Sequence, residues 1–179
     1  MRISPAHFFL MLIIFSLHVP LFANTTERGG LPLLNEPSVL KTDISEFILD
    51  DDLKIDTNDL VPCSVFVPPV FFALYFLVED DGVFYTVAYM RKRIVCIGLD
   101  YNRNQTVNQK FKTPEGAYLG MNYKLLKKLR GRKKIVSIQG VGQYVSLKSG
   151  WIAYFPSEKS LNESDIVVRL FKTSMMKFE

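Results

Sequence analysis

The sequence predicts an α+β fold: a mainly antiparallel sheet, built from a meander and hairpins, with one short amphipathic helix packed on it. Three observations carry this. Runs rich in Phe, Tyr, Val and Ile are separated by Asp- and Gly-bearing turns, as in "FFALYFLVEDDGVFYTVAY" and "GQYVSLKSGWIAYF", the composition of strands joined by tight loops. One stretch, "NYKLLKKLRG", is framed by a capping Asn and a terminating Gly, as a short helix would be. The chain left after an N-terminal leader is set aside is about 156 residues, the size of one domain.

That leader is residues 1–23. Arg2 supplies a positive start, residues 8–22 are almost wholly apolar, and Ala23 is a small residue at a plausible cleavage point. This is the layout of a secretory signal peptide, and its apolar run is shorter than the roughly 20 residues a membrane span needs. The alternative is an anchor that is kept. A second apolar run, 60–78, contains Pro62, Pro68 and Pro69 and is dominated by Phe and Val. Proline breaks helices and β-branched residues favour strands, so a turn and a buried strand are expected there. No transmembrane span is expected in the mature chain. Residues 24–60 read as an acidic, partly disordered leader, and 61–179 as a single α+β domain.

The elements follow in order. In "TDISEFILDD", Asp43 or Ser45 could cap a brief helix, or residues 47–49 could form a strand edge; both remain open. Residues 71–79, the loop "DDG" and residues 83–89 form a hairpin. A tight basic turn at 90–92 leads to a third strand over 93–101, completing a meander. The polar loop "NRNQTVNQKFK" runs into "TPEG", a turn in which Pro114 presets φ and Gly116 takes positive φ. Asn122 is the N-cap of a helix over 123–130. Met121, Leu125, Leu126 and Leu129 are expected on its buried face, and Gly131 ends it. "IVSIQ" is a strand, and "QYVSL", "KSG" and "WIAYF" form a second hairpin. In it Trp151, Ala153 and Phe155 point one way and Ile152 and Tyr154 the other. A last strand, "DIVVRLF", closes the sheet, with Ile166, Val167 and Val168 buried on both faces.

Several chemistries are excluded. The two histidines, His7 and His18, both lie in the leader. A cleaved chain therefore has no Ser–His–Asp triad, no Cys–His dyad and no histidine metal site. Cys63 and Cys96 are too few for zinc; they are a candidate disulfide if their strands are adjacent, and otherwise two buried thiols. The acidic run "ILDDDLKIDTNDL" fits no EF-hand frame: starting at Asp50 puts Lys54 and Ile55 where a ligand and a glycine are required. No catalytic residue, metal site or cofactor is expected. Glu79, Asp80 and Asp81 could serve a carboxylate-based hydrolase, but "EDDG" reads first as a turn.

Charge is divided along the chain. Residues 24–82 hold twelve acidic and three basic side chains, net −9, and residues 83–179 hold six acidic and eighteen basic, net +12. Such asymmetry means either internal pairing or a basic face that meets an anionic partner. The densest positive run is Lys124, Lys127, Lys128, Arg130, Arg132, Lys133 and Lys134. These seven are the candidate site for an anionic partner; otherwise they are the solvated face of a small helix.

The run "TPEGAYLGMNYKLLKKLRG" followed by "GQYVSLKSGWIAYF" resembles a motif of small exported bacterial α+β proteins of poorly characterised function. Their pattern is Thr-x-x-Gly, then Gly-Met-Ser/Thr, a short helix and Gly, then antiparallel strands. Thr113, Gly116, Gly120, Met121 and Gly131 fit it, with Asn122 in the capping place. The match covers a quarter of the chain and implies an exported accessory protein without transferring a catalytic residue. The helix after Gly-Met is also similar to small envelope-assembly lipoproteins, although the lipidated cysteine is missing. "SGWIAY" looks, in outline, like the Ser-Gly loop and nearby Tyr of periplasmic lysozyme inhibitors, here Ser149, Gly150 and Tyr154.

Two classes of function follow. The first is a periplasmic or secreted, non-enzymatic protein that binds a macromolecular partner, either an unknown protein or an anionic envelope component, through the basic face. Nucleic acid is not expected as a partner of an exported chain. The second is a carboxylate-based hydrolase, which needs a cleft holding two carboxylates, one with a raised pKa; a periplasmic enzyme inhibitor is a further alternative.

Overall fold

Every strand meets a hydrogen-bonded neighbour, and the pairings build one nine-stranded sheet. In the computed structural model, residues 36–60, 63–67, 71–107, 109–129, 135–157 and 159–175 are described. The expected signal peptide and residues 24–35 lie outside them. The strands are β1 (Val39–Lys41), β2 (Cys63–Val67), β3 (Phe71–Asp80), β4 (Val83–Met90), β5 (Arg93–Asp100), β6 (Ile135–Ile138), β7 (Gly142–Ser146), β8 (Ile152–Phe155) and β9 (Arg169–Thr173); the helix, α1, is Tyr123–Leu129. Their order across the sheet is β1-β3-β4-β5-β9-β8-β7-β6, with β2 also paired to β3. β1 is parallel to β3 and every other pairing is antiparallel. The fold is therefore α+β and mostly antiparallel sheet, with one short helix among the described residues.

Both expected hairpins form. β3 and β4 are joined by Asp81 and Gly82, both at positive φ, the two-residue turn that matches strand twist. β7 and β8 are joined by residues 148–150, with Gly150 at φ 84°. The meander is longer than expected, because the apolar run 60–78 supplies two antiparallel strands, β2 and β3, rather than one. β9 is not an addition at the rim. It lies between β5 and β8 and joins the β2–β5 meander to the β6–β8 unit. It also starts later than expected: Val167 is fully buried, but Ile166 is 37% exposed and makes only a bridge to Asn122.

The main core lies on one face of the sheet. Register places Phe76 opposite Val87, Val78 opposite Tyr85, Tyr85 opposite Leu99, Leu99 opposite Leu170 and Leu170 opposite Ala153. All belong to one buried cluster with Trp151 and Phe155. Ile152 and Tyr154 belong to a cluster on the opposite face, with Tyr144 and Phe171, so β8 alternates as its sequence predicts. α1 lays Leu126 and Tyr123 into the main core, the Tyr123 ring meeting Phe155 at 5.8 Å, edge-on. Leu125, expected inside, is 40% exposed. Met121 precedes the cap and so is not in helical phase with the residues after it; the helix turns on Tyr123 and Leu126 instead.

Residues 36–60 are not a disordered leader, and residue 60 is not a boundary of the fold. Phe47, Leu53 and Leu60 are buried in the main cluster, and residues Asn35–Glu179 form one compact unit. Asp43 caps a single 3-10 turn, Ile44–Glu46, by accepting a 2.7 Å hydrogen bond from the Ser45 amide, which decides for the capped turn over the strand edge. Asp56 caps a second, Thr57–Asp59, in the same way. Residues 50–53 clasp the β4–β5 turn: the Asp50 amide donates to Ile94 O, the Ile94 amide to Asp51 O and the Leu53 amide to Lys92 O. A buried Asn104 holds the other end of β4, accepting from the Phe84 amide and donating to Phe84 O and Asp100 O.

The candidate disulfide does not form. Cys63 is opposite Tyr75, Tyr75 opposite Ala88 and Ala88 opposite Cys96. The two cysteines share one row but are three strand spacings apart, about 14 Å, beyond the reach of a disulfide. Neither cysteine is in a disulfide. Burial pushes the Cys96 thiol up to about 12, with Arg169 pulling the other way, so it is not a thiolate at neutral pH.

Candidate functional site

The turn "TPEG" sets the start of the candidate surface. The Thr113 amide donates to Ala117 O, the Gly116 amide to Thr113 O, and Thr113 Oγ1 accepts from the Ala117 amide. Gly116 and Gly120 both sit at positive φ, which glycine adopts without the Cβ clash. The chain then enters α1 through Asn122, whose Oδ1 accepts from the Leu125 amide at 3.0 Å. The segment before β9 runs alongside: the Tyr123 amide donates to Asp165 O and the Lys124 amide to Glu163 O. Burying Tyr123 and Leu126 fixes the rotation of the helix and turns Lys124, Leu125, Lys127 and Lys128 to solvent.

Of the seven expected cationic residues, three are described. Lys124 Nζ lies 3.2 Å from Glu163 Oε2, in an exposed ion pair. Lys127 and Lys128 form no ion pair among the described residues. Arg130, Arg132, Lys133 and Lys134 lie outside the described residues. The acidic half of the chain makes its contacts elsewhere. Asp52 faces Arg93 at 3.8 Å, Glu79 faces Lys41 at 3.7 Å and Asp81 faces Lys110 at 3.3 Å. The acidic segment thus packs beside the basic β4–β5 turn, and among the described residues the lysines of α1 receive only Glu163.

Next to Ile166 the surface dips into an open concavity of about 420 Å³. Phe155, Pro156, Ile166 and Val168 line it with Ser157, Ser164 and Asp165. Among the described residues it therefore holds one carboxylate, whereas the hydrolase alternative calls for two. Among the described residues the two carboxylates displaced in pKa are elsewhere, and both are held low. Asp43 is lowered by the hydrogen bond from the Ser45 amide. For Glu115, burial pushes upward, but the Ser149 hydroxyl and amide outweigh it and hold the group low. Among the described residues no group of three or more His, Cys, Asp or Glu could hold a metal ion.

The Ser-Gly hairpin tip is tied down. Ser149 donates from both its amide and its hydroxyl to the Glu115 carboxylate, the hydroxyl at 2.7 Å. The Tyr154 hydroxyl donates to Val141 O at 2.7 Å. Trp151 packs on Phe111 with ring centroids 4.8 Å apart. Both polar groups of the inhibitor-like outline are thus engaged within the chain. Sequence reasoning missed the Glu115–Ser149 link, since nothing local signals a contact across thirty-four residues. It also missed the exposure of Leu125, which the helical phase counted from the cap would have revealed.

The fold and the surface together define a class: a mostly antiparallel α+β protein with a short, lysine-bearing helix on one face of its sheet. No family model, curated protein or solved structure matches the chain. Among the described residues no helix is long and apolar enough to cross a membrane.

Proposed function

We propose that this is an exported, non-enzymatic accessory protein that binds an anionic component of the cell envelope through the exposed face of α1. One observation supports this above the others: Lys127 and Lys128 project to solvent with no ion pair among the described residues, while the acidic segment is committed to the β4–β5 turn. Unneutralised cations on a rigid, packed element attract anions at little ordering cost. Export rests on the N-terminal pattern of Arg2, the apolar run and Ala23.

Binding of a soluble polyanion, dextran sulfate, tests the reading. Each lysine near an anionic surface contributes about 1 kcal/mol at moderate salt, so Lys127→Ser with Lys128→Ser weakens binding about 30-fold. Stability should stay within about 0.5 kcal/mol, because both side chains are exposed. Unchanged affinity in a folded double variant would sink the proposal.

A further inference from the structure

The exposed strip on α1 is not purely basic. Leu125 adjoins Lys128, three residues on along the helix surface, and is 40% exposed, and Ile166 beside the helix cap is 37% exposed. Asn122 and Leu125 are three residues apart on one side of the helix, and Asn122 is bridged to Ile166. The two exposed apolar residues therefore lie near each other at the start of the helix. Ile166 also forms part of the wall of the concavity with Phe155, Pro156 and Val168, beside the polar Ser157, Ser164 and Asp165. A single exposed leucine needs no explanation. Here two large apolar residues adjoin Lys127 and Lys128, which lack counter-charges among the described residues.

We infer that the partner of this strip is an anionic phospholipid surface. Lysines flanking apolar side chains are the pattern of an interfacial contact, in which the charges meet headgroups and the apolar groups enter the boundary beneath them. A dissolved polyanion would use the lysines and leave Leu125 and Ile166 in water. Lys124 contributes less than its neighbours, since Glu163 holds it, and Asp165 on the rim of the concavity sets the limit of the contact on that side. The inference rests on the basic-face reading above and narrows it to one ligand chemistry.

The test is hydrogen exchange on the full chain, read peptide by peptide, so that contact made by any other segment is separated from contact at α1. The probes are phosphatidylglycerol–phosphatidylcholine vesicles, phosphatidylcholine vesicles and dextran sulfate. The expected result is slowed exchange at 122–129 and 163–167 with the anionic vesicles and none with phosphatidylcholine alone. Leu125→Ser with Ile166→Ser should weaken vesicle binding about tenfold, the loss expected from two partly exposed aliphatic side chains, and leave dextran sulfate binding intact. If that variant binds anionic vesicles as the parent does, while Lys127→Ser with Lys128→Ser loses both ligands, the lipid inference fails and the basic-face reading stands. If neither anionic probe slows exchange at these peptides, both fail.

Discussion

Two basic clusters invite comparison. Arg91, Lys92 and Arg93 form the β4–β5 turn, and Lys124, Lys127 and Lys128 line α1. In sequence they look alike: short runs of positive charge beside apolar segments. In the fold they differ. The turn is clasped by residues 50–53, with backbone bonds to Lys92 and Ile94 and an Asp52–Arg93 ion pair. Among the described residues the lysines of the helix meet one carboxylate, Glu163. The first cluster is part of the architecture and the second is left facing outward. Local charge density therefore says little about function until the position of the counter-charge is known.

The comparison can be broken most severely at the acidic segment. Phe47→Ala removes a buried ring that meets Phe76 edge-on at 5.5 Å, and should cost about 3 kcal/mol in denaturant unfolding. A segment that merely covered the turn electrostatically would show almost no loss. A smaller change sharpens the contrast from the other side. Glu163→Gln frees Lys124 and should tighten polyanion binding about fivefold, by the energy of roughly one added cation, with no change in melting. A like gain from Asp52→Asn, which frees Arg93, would erase the distinction between the clusters.

The turn itself carries backbone strain that the helix lacks. Arg91 and Lys92 sit at φ 51° and 61°, a conformation that asks for Asn-Gly. Lys92→Gly keeps the carbonyl that Leu53 uses, and should stabilise the protein by about 1 kcal/mol in a thermal melt. Destabilisation would mean that the Lys92 side chain, rather than its backbone, supports the clasp.

The smallest effect concerns the latch between the two turns near α1. The pKa of Glu115 is lowered in the folded state, so its contribution is present above the unfolded carboxyl range. It is lost as pH falls through the folded value, which lies below the ordinary glutamate range. Glu115→Gln should flatten the acid limb of the stability profile slightly and loosen the 148–150 loop, read as faster amide exchange at Ser149. An acid limb identical to the parent's would assign no role to the carboxylate.

Sequence reasoning reached elements whose causes are local. The β3–β4 and β7–β8 hairpins are written in Asp81-Gly82 and Gly150, and the helix start in Asn122. The alternation of Trp151 to Phe155 gave both faces of β8 correctly. What it missed depends on contacts between distant segments. β1 is three residues long and forms only because β3 offers a parallel edge. Residues 36–60 look polar, yet Phe47, Leu53 and Leu60 are spaced to reach one core from separate turns. The cysteine pair required knowing that β3 and β4 stand between β2 and β5. The outward lysines at 124, 127 and 128 were legible from helical phase. The ring of pairings that leaves two of them without a counter-charge among the described residues was not.

The position of β9 has a consequence for how the molecule comes into being. The sheet is joined across its middle by β9, the last of the described strands along the chain, so the β2–β5 meander and the β6–β8 unit remain two open-edged pieces until residues 169–173 arrive. Until then a growing chain keeps the edges of β5 and β8 unsealed, and the edge of β5 waits on pairings that span about seventy residues. Completion of the sheet thus waits on residues 169–173. A chain truncated before β9 would present two unpaired edges side by side and self-associate through them.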